Sequence, residues 1–392
     1  MKKILLLASH FTPDRSAGSF RMSALVYELA KYPDLLECHV FSMYPNRYQE
    51  NDFNILNKEI YGNVKITRIP LLFSNSTGLR LIINYFYYFL RVILQTKFRR
   101  YDIVFATSSK FFTSFLGLMI VGKKSKLIID YRDLFWDNIK DLYSIKLLNK
   151  IGRAIEKNVL LRADKISIVS KGFTDYVAES SGDIKKISYF PNGIDSLFIT
   201  ESDIDELFEN KFRSSEKIEV LYAGNVGVGQ GLEKIIPVFA KKFEANCSIT
   251  IIGNGSKKDA LQLCLDRNDN KNVTLLPSMP RENILQSYQR ADILLLTLND
   301  IRAFEKVLPS KIFEYAATGL PILAGVCGHA RDFFKSEIEG VFVFSISDLD
   351  EMEKQFELLL SKRRRYCRDS FIEKYRREKI IYDLAEFILS ES

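Results

Sequence analysis

Twice along the chain, short runs of β-branched and leucine-rich residues alternate with longer amphipathic segments, and few folds accommodate that alternation. The first series places strands at 3–8, 37–41, 64–68, 102–106, 126–130, 165–169 and 186–190; the second at 218–222, 248–252, 272–276, 292–297, 321–324 and 340–344. Their near-continuous apolar character suits parallel strands covered by helices on both faces. Each series therefore predicts a doubly wound α/β sheet. A chain of 392 residues, 47% of them hydrophobic and 12% aromatic, has material for two such cores. The charged stretch 201–216, poor in strand formers, reads as the linker region, and an amphipathic segment over 372–389 reads as one terminal helix.

Other classes are excluded by what is missing. Five scattered cysteines without paired spacing read as reduced thiols, and three distant histidines make no metal-ligand motif, so no metal or other cofactor is expected. The apolar start of the chain stops at Ser9 and His10 with no cleavage-type sequence after it, and reads as a first strand. No run reaches the ~18 apolar residues of a spanning helix; the stretch 81–94 is interrupted by Asn84 and Arg91. A formal net charge of +7 with basic runs at 97–100 and 362–365 reads mainly as solvated helix faces, and no nucleic-acid partner is expected.

One carboxylate is out of keeping with its surroundings. Pro309 fits the first turn of a helix, Gly319 its left-handed cap, and Pro321 forbids its continuation into the following strand. Within that helix Ile312, Phe313, Ala316 and Ala317 surround Glu314, so its charge needs a partner, such as Lys311 or Arg302, or a ligand. Backbone N–H groups at the helix start, with Ser310 and Lys311, form a candidate anion site.

This segment resembles the C-terminal signature of glycosyltransferase family 4, retaining enzymes of the GT-B fold. The family carries two glutamates eight positions apart; here Lys306 occupies the earlier position, Glu305 is one residue off, and Glu314 alone carries over. The resemblance implies two Rossmann-like doubly wound domains with a cleft between them. Residues 1–200, joined by a crossover helix at 372–392, would be the acceptor side, and 201–371 would bind the nucleotide-sugar donor.

Ligands of open parallel sheets sit beyond the carboxyl ends of the strands, so the loops there are the ones expected to carry chemistry. Gly18 follows the first strand and opens a helix, resembling the family's N-terminal glycine loop. Glycines 224, 227, 229 and 231 lie between a strand and a helix, where backbone N–H groups can wrap a diphosphate. The family commonly has an arginine and a lysine where this chain has Asn225 and Gln230, which leaves Lys311 or Lys306 to supply charge. Gly253 and Pro277 fall where the family holds the nucleobase. After the strand at 126–130, Arg132 and Asp133 sit beside aromatics including Trp136, a constellation suited to sugar hydroxyls and ring faces; its alternative is an Arg132–Asp137 ion pair.

The resemblance thus implies transfer of a hexosyl or N-acetylhexosaminyl group from a nucleotide-diphosphate sugar, a UDP-sugar, to a polyprenyl-linked or glycan acceptor in surface-polysaccharide synthesis. Asp133, Lys311 and Glu314 would be catalytic, and Gly18, Gly224, Asn225, Gly227, Gln230, Gly253, Pro277 and Ser310 would bind the donor with the last two. The expected location is the cytoplasm; the segment 79–94, apolar and aromatic around most of its circumference with a basic end, suggests peripheral docking on an anionic membrane surface at the inner face of the cytoplasmic membrane, its alternative being a helix buried between the sheet and its neighbours. A nucleotide-sugar epimerase and a non-catalytic partner subunit of the same fold are the alternatives.

Overall fold

The computed structural model describes residues 1–45, 55–73, 78–108, 111–134, 136, 146–199 and 217–390. The chain forms two compact units, Met1–Asn192 with Glu378–Ser392, and Gly193–Arg377. The expected linker, 201–216, lies outside the described residues, as does Asp137.

The first unit is built from β1 (Lys2–Leu7), α1 (Ala17–Leu29), β2 (Leu36–Met43), β3 (Lys58–Tyr61), β4 (Val64–Ile69), α2 (Gly78–Thr96), β5 (Ile103–Thr107), α3 (Phe111–Ile120), β6 (Lys126–Tyr131), α4 (Lys146–Arg162), β7 (Lys165–Ile168), α5 (Thr174–Ser181) and β8 (Ile187–Tyr189). The sheet order is β3-β4-β2-β1-β5-β6-β7-β8, parallel except for β3. Ile4, Leu6, Val40, Phe105 and Ile128 bury their side chains against Leu25 and Val26 of α1. Ile381, Leu384 and Ile388 join the same core.

In the second unit come β9 (Ile218–Ala223), α6 (Leu232–Lys242), β10 (Cys247–Ile252), α7 (Lys258–Arg267), β11 (Val273–Leu276), α8 (Arg281–Arg290), β12 (Ile293–Thr297), α9 (Lys311–Ala317), β13 (Ile322–Gly325), α10 (Gly328–Glu337), β14 (Val341–Phe344), α11 (Leu349–Ser361) and α12 (Asp369–Lys374). Strand order β11-β10-β9-β12-β13-β14, wholly parallel, is the doubly wound arrangement, with its direction reversing between β9 and β12.

Three local expectations are corrected. The hairpin strand β3 was not expected, because all four of its residues are exposed and show no apolar pattern; the cue was Gly62-Asn63 between two strand-like runs, with Gly62 at φ 57°. The terminal helix is two helices, α12 and α13 (Arg377–Leu389). Between them the backbone leaves the helix to pair with Ile194, whose N–H donates to the Tyr375 carbonyl at 2.7 Å and whose carbonyl accepts from the Arg377 N–H at 2.8 Å. Finally, α9 starts at Lys311 with Ser310 as its cap residue, so Pro309 precedes the helix rather than opening its first turn.

Candidate functional site

At the carboxyl edge of the second sheet, four loops are laced together where the strand order reverses. The N–H of Val226, in the loop after β9, donates to the Asn254 carbonyl at 3.0 Å, and Asn254 Nδ2 donates to Ser278 Oγ at 3.0 Å. Gly253 donates its N–H to the Leu276 carbonyl, so the Gly224, Gly253 and Pro277 loops lie side by side. The approach requires glycine: a Cβ on Gly253 would stand 1.8 Å from the Gly224 oxygen. From the β12 side, the Asn299 N–H donates to the Gly229 carbonyl at 2.8 Å, and its amide to Val228.

Asn225 and Gln230 are turned on each other. Asn225 Nδ2 donates to Gln230 Oε1 at 2.8 Å, and the same oxygen accepts the Gly227 N–H at 3.2 Å. Where the family has two cations, two neutral amides close the loop on itself and engage one of the N–H groups assigned to the diphosphate.

Glu314 lies on α9, which Tyr315 fastens over the end of β9: its phenol oxygen accepts the Ala223 N–H at 2.9 Å. The Glu314 side chain is 12% exposed. Its Oε2 is held by Lys311 Nζ at 2.7 Å and by the Tyr288 hydroxyl at 3.4 Å. Its Oε1 accepts no hydrogen bond among the described residues, and Arg281 Nη2 stands 3.8 Å from it. Lys311, not Arg302, is thus the close ion-pair partner, and Arg281 is a neighbour that sequence reasoning missed. Arg281 Nη1 donates to Asp195 at 2.7 Å and its guanidinium lies 4.9 Å over the Phe198 ring. Asp195 also accepts from Arg377. Burial pushes the Asp195 carboxyl up, but Arg377 and Arg281 outweigh it and hold the pKa below the usual value. Tyr288, buried and beside Glu314, is held well above the ordinary phenol range, so it donates a hydrogen bond as a neutral group.

In the first unit Gly18 is the second residue of α1, and a Cβ there would meet nothing closer than 3.9 Å, so packing does not demand glycine. Asp133 is half-buried just beyond β6. The neighbouring Arg132 donates to Asn192 Oδ1 at 3.1 Å and stands 3.7 Å from Asp130. Asp130 in turn binds the fully buried Arg21 at 3.1 Å and the Ser167 hydroxyl at 2.6 Å. Trp136 lies against Gly152 in α4, so close that a Cβ there would overlap its ring at 2.1 Å. One of its sides is therefore taken by protein. Among the described residues no three His, Cys, Asp or Glu side chains gather as metal ligands.

Residues 203–378 match the family of glycosyl transferases group 1. The putative colanic acid biosynthesis glycosyl transferase WcaI of Escherichia coli (strain K12) is 26% identical over 179 residues, 43% of this chain and 42% of that protein. The chain thus matches this curated relative over about two fifths of its length. Among solved structures, sucrose-phosphate synthase from Thermosynechococcus elongatus superposes with a TM-score of 0.76 at 13% identity, covering 99% of this chain and 98% of that one. Anabaena HepE in complex with UDP does so with 0.67 at 14% identity, covering 99% of each. Over residues 203–378 this chain is thus similar to the glycosyl transferases of group 1, and its fold is that of the GT-B glycosyltransferases.

Proposed function

We propose that the protein is a retaining glycosyltransferase that moves a sugar from a UDP-sugar to a polyprenyl-linked or glycan acceptor in surface-polysaccharide synthesis, at the inner face of the cytoplasmic membrane. The observation that carries the reading is the divided carboxylate of Glu314: one oxygen is fixed by Lys311 and Tyr288, while the other has no donor among the described residues and suits a ribose hydroxyl. The likeness to WcaI favours a polysaccharide product, and the UDP complex of HepE favours that nucleotide.

The bond from the anomeric carbon to the diphosphate oxygen breaks, and its electron pair leaves with the nucleotide. The acceptor oxygen bonds to the same face of the sugar, and its proton passes to the departing diphosphate. Lys311 and the N–H groups of the 224–231 loop stabilise the developing negative charge. Gly224, Gly227, Gln230 and Asn225 cradle the diphosphate, Gly253 and Pro277 border the base, and Ser310 adds an N–H. No metal takes part, so activity survives a chelator.

Saturating UDP or a UDP-sugar should raise the melting midpoint, since a ligand at a hundred times its Kd adds about 2.7 kcal/mol to the bound state. A polyprenyl-linked acceptor should then yield product in EDTA. Failure to bind any nucleoside diphosphate would overturn the reading, and conversion of donor without acceptor would assign an epimerase. One observation favours a non-catalytic subunit: the Gln230 side chain engages the Gly227 N–H. That reading predicts no response to any nucleotide.

A further inference from the structure

Helix α2 shows two faces, and only one is used. Asn84, Tyr85, Tyr88, Val92 and Thr96 are buried; the Tyr88 hydroxyl donates to the Phe41 carbonyl at 3.0 Å, and Tyr85 and Phe89 stack on Phe112 and Phe115 of α3. The opposite face is apolar and open. Ile82, Phe86, Leu90 and Leu94 recur every fourth residue, on one stripe of a helix that turns about 100° per residue, with Phe86 68% and Leu94 58% exposed. Phe98, just beyond the helix, is 91% exposed. An aliphatic and aromatic stripe of this length, about 18 Å from Ile82 to Leu94, is more than scattered surface residues supply.

Charge identifies what fits it. Residues 60–101 contain seven Lys or Arg and no Asp or Glu. Arg80 and Arg91 border the stripe along the helix, and Lys97 and Arg100 stand at its end, all four exposed. None has a carboxylate partner among the described residues. Arg80, Arg91 and Lys97 instead lie over the rings of Phe73, Tyr87 and Phe98 at 5.5–5.9 Å. Apolar side chains that sink below headgroups, with cations reaching back to phosphates, are the pattern of an interfacial helix.

We infer that this face of α2 is a docking surface for an anionic lipid bilayer. It deepens the function proposed above, on which it rests only for the acceptor's location in the membrane. No helix of the described residues is long and apolar enough to cross a membrane, so docking is reversible and lateral to the surface. The cations draw the protein to the bilayer, and the stripe holds it there.

The test is co-sedimentation of the full chain with vesicles of phosphatidylcholine alone and of phosphatidylcholine with equal phosphatidylglycerol, at low and high salt. One variant combines Phe86→Ser, Leu90→Ser and Leu94→Ser; another combines Arg80→Ser, Arg91→Ser, Lys97→Ser and Arg100→Ser. All seven positions face solvent, so both variants should melt as wild type does. Wild type should bind the anionic vesicles at low salt at least tenfold more strongly than neutral ones, with the preference lost at high salt. Each variant should lose at least tenfold. Absence of binding to anionic vesicles at low salt, or binding unchanged in both variants, overturns the inference. So does a wild-type dimer that the apolar variant dissociates while vesicles go unbound, which assigns the face to a second copy. Vesicle binding needs neither donor nor acceptor, so its failure and the failure of the catalytic reading are told apart.

Discussion

Glu314 is a carboxylate whose two oxygens do different things. Lys311 and Tyr288 fix Oε2, which sets the orientation of the group, and Oε1 accepts no hydrogen bond among the described residues; in the function proposed above it takes a donor from the ligand. Replacing Glu314 with Gln keeps the shape but puts an amide where an ionised acceptor stood, and leaves Lys311 without its close anion. Donor affinity should fall by about 1–3 kcal/mol, the range for a charged hydrogen bond lost from a partly buried site. Calorimetry with UDP reads it directly, and wild-type affinity in a folded variant would remove Glu314 from the site. The chain's own chemistry announced this residue, because Gly319 and Pro321 end the helix just after it and its neighbours are apolar. It could not announce Arg281, which reaches Glu314 and Asp195 only through the fold. Tyr288 was hidden for the same reason: its hydroxyl meets a residue 26 positions away.

At the scale of elements, strands of the two sheets were legible because burial on both faces writes them as apolar runs, whereas edges and breaks were not. β3 is an exposed edge, and the interruption between α12 and α13 is made by hydrogen bonds to Ile194, which no local propensity encodes. α2 was legible as apolar around most of its circumference, but only the packing of Tyr85 and Tyr88 shows which side is left over. The glycine loops were legible as loops, and their mutual support was not. Gly253→Ala tests that support: its methyl would overlap the Gly224 carbonyl, whose loop must then move. The variant should lose about 1–3 kcal/mol of stability, as overpacked sites do, and its UDP affinity should fall as well. Chemical denaturation and calorimetry on the same samples check both; an unchanged midpoint would mean that the loops yield freely.

For the molecule as a whole, His39, Asp130 and Asp195 contribute to the response to acid in two stages. His39 on β2 is buried, with Tyr101 and Thr67 on its two ring nitrogens and Arg99 at 3.0 Å. Burial first, then Arg99 and Lys65, push its pKa down from 6.5 to about 4, against a weaker opposing pull from Glu37. The folded state therefore binds fewer protons than the unfolded one between those values. Its contribution is complete above pH 6.5 and drains away as pH falls toward 4, by up to about 3 kcal/mol for a shift of that size. Asp130 and Asp195, one in each unit, are held below their usual value of 3.8 by arginines that outweigh the cost of burial. Their contributions are present above that value and are lost only as pH falls below it. The first unit should accordingly lose stability between pH 6.5 and 4. His39→Gln removes the titrating group, so its stability, whatever its value at pH 7, should be nearly flat from pH 7 to 5 where the wild type slopes. Denaturant midpoints across that range, followed at Trp136 as a probe in the first unit, measure the difference; parallel slopes in the two proteins would show that His39 does not govern the upper stage.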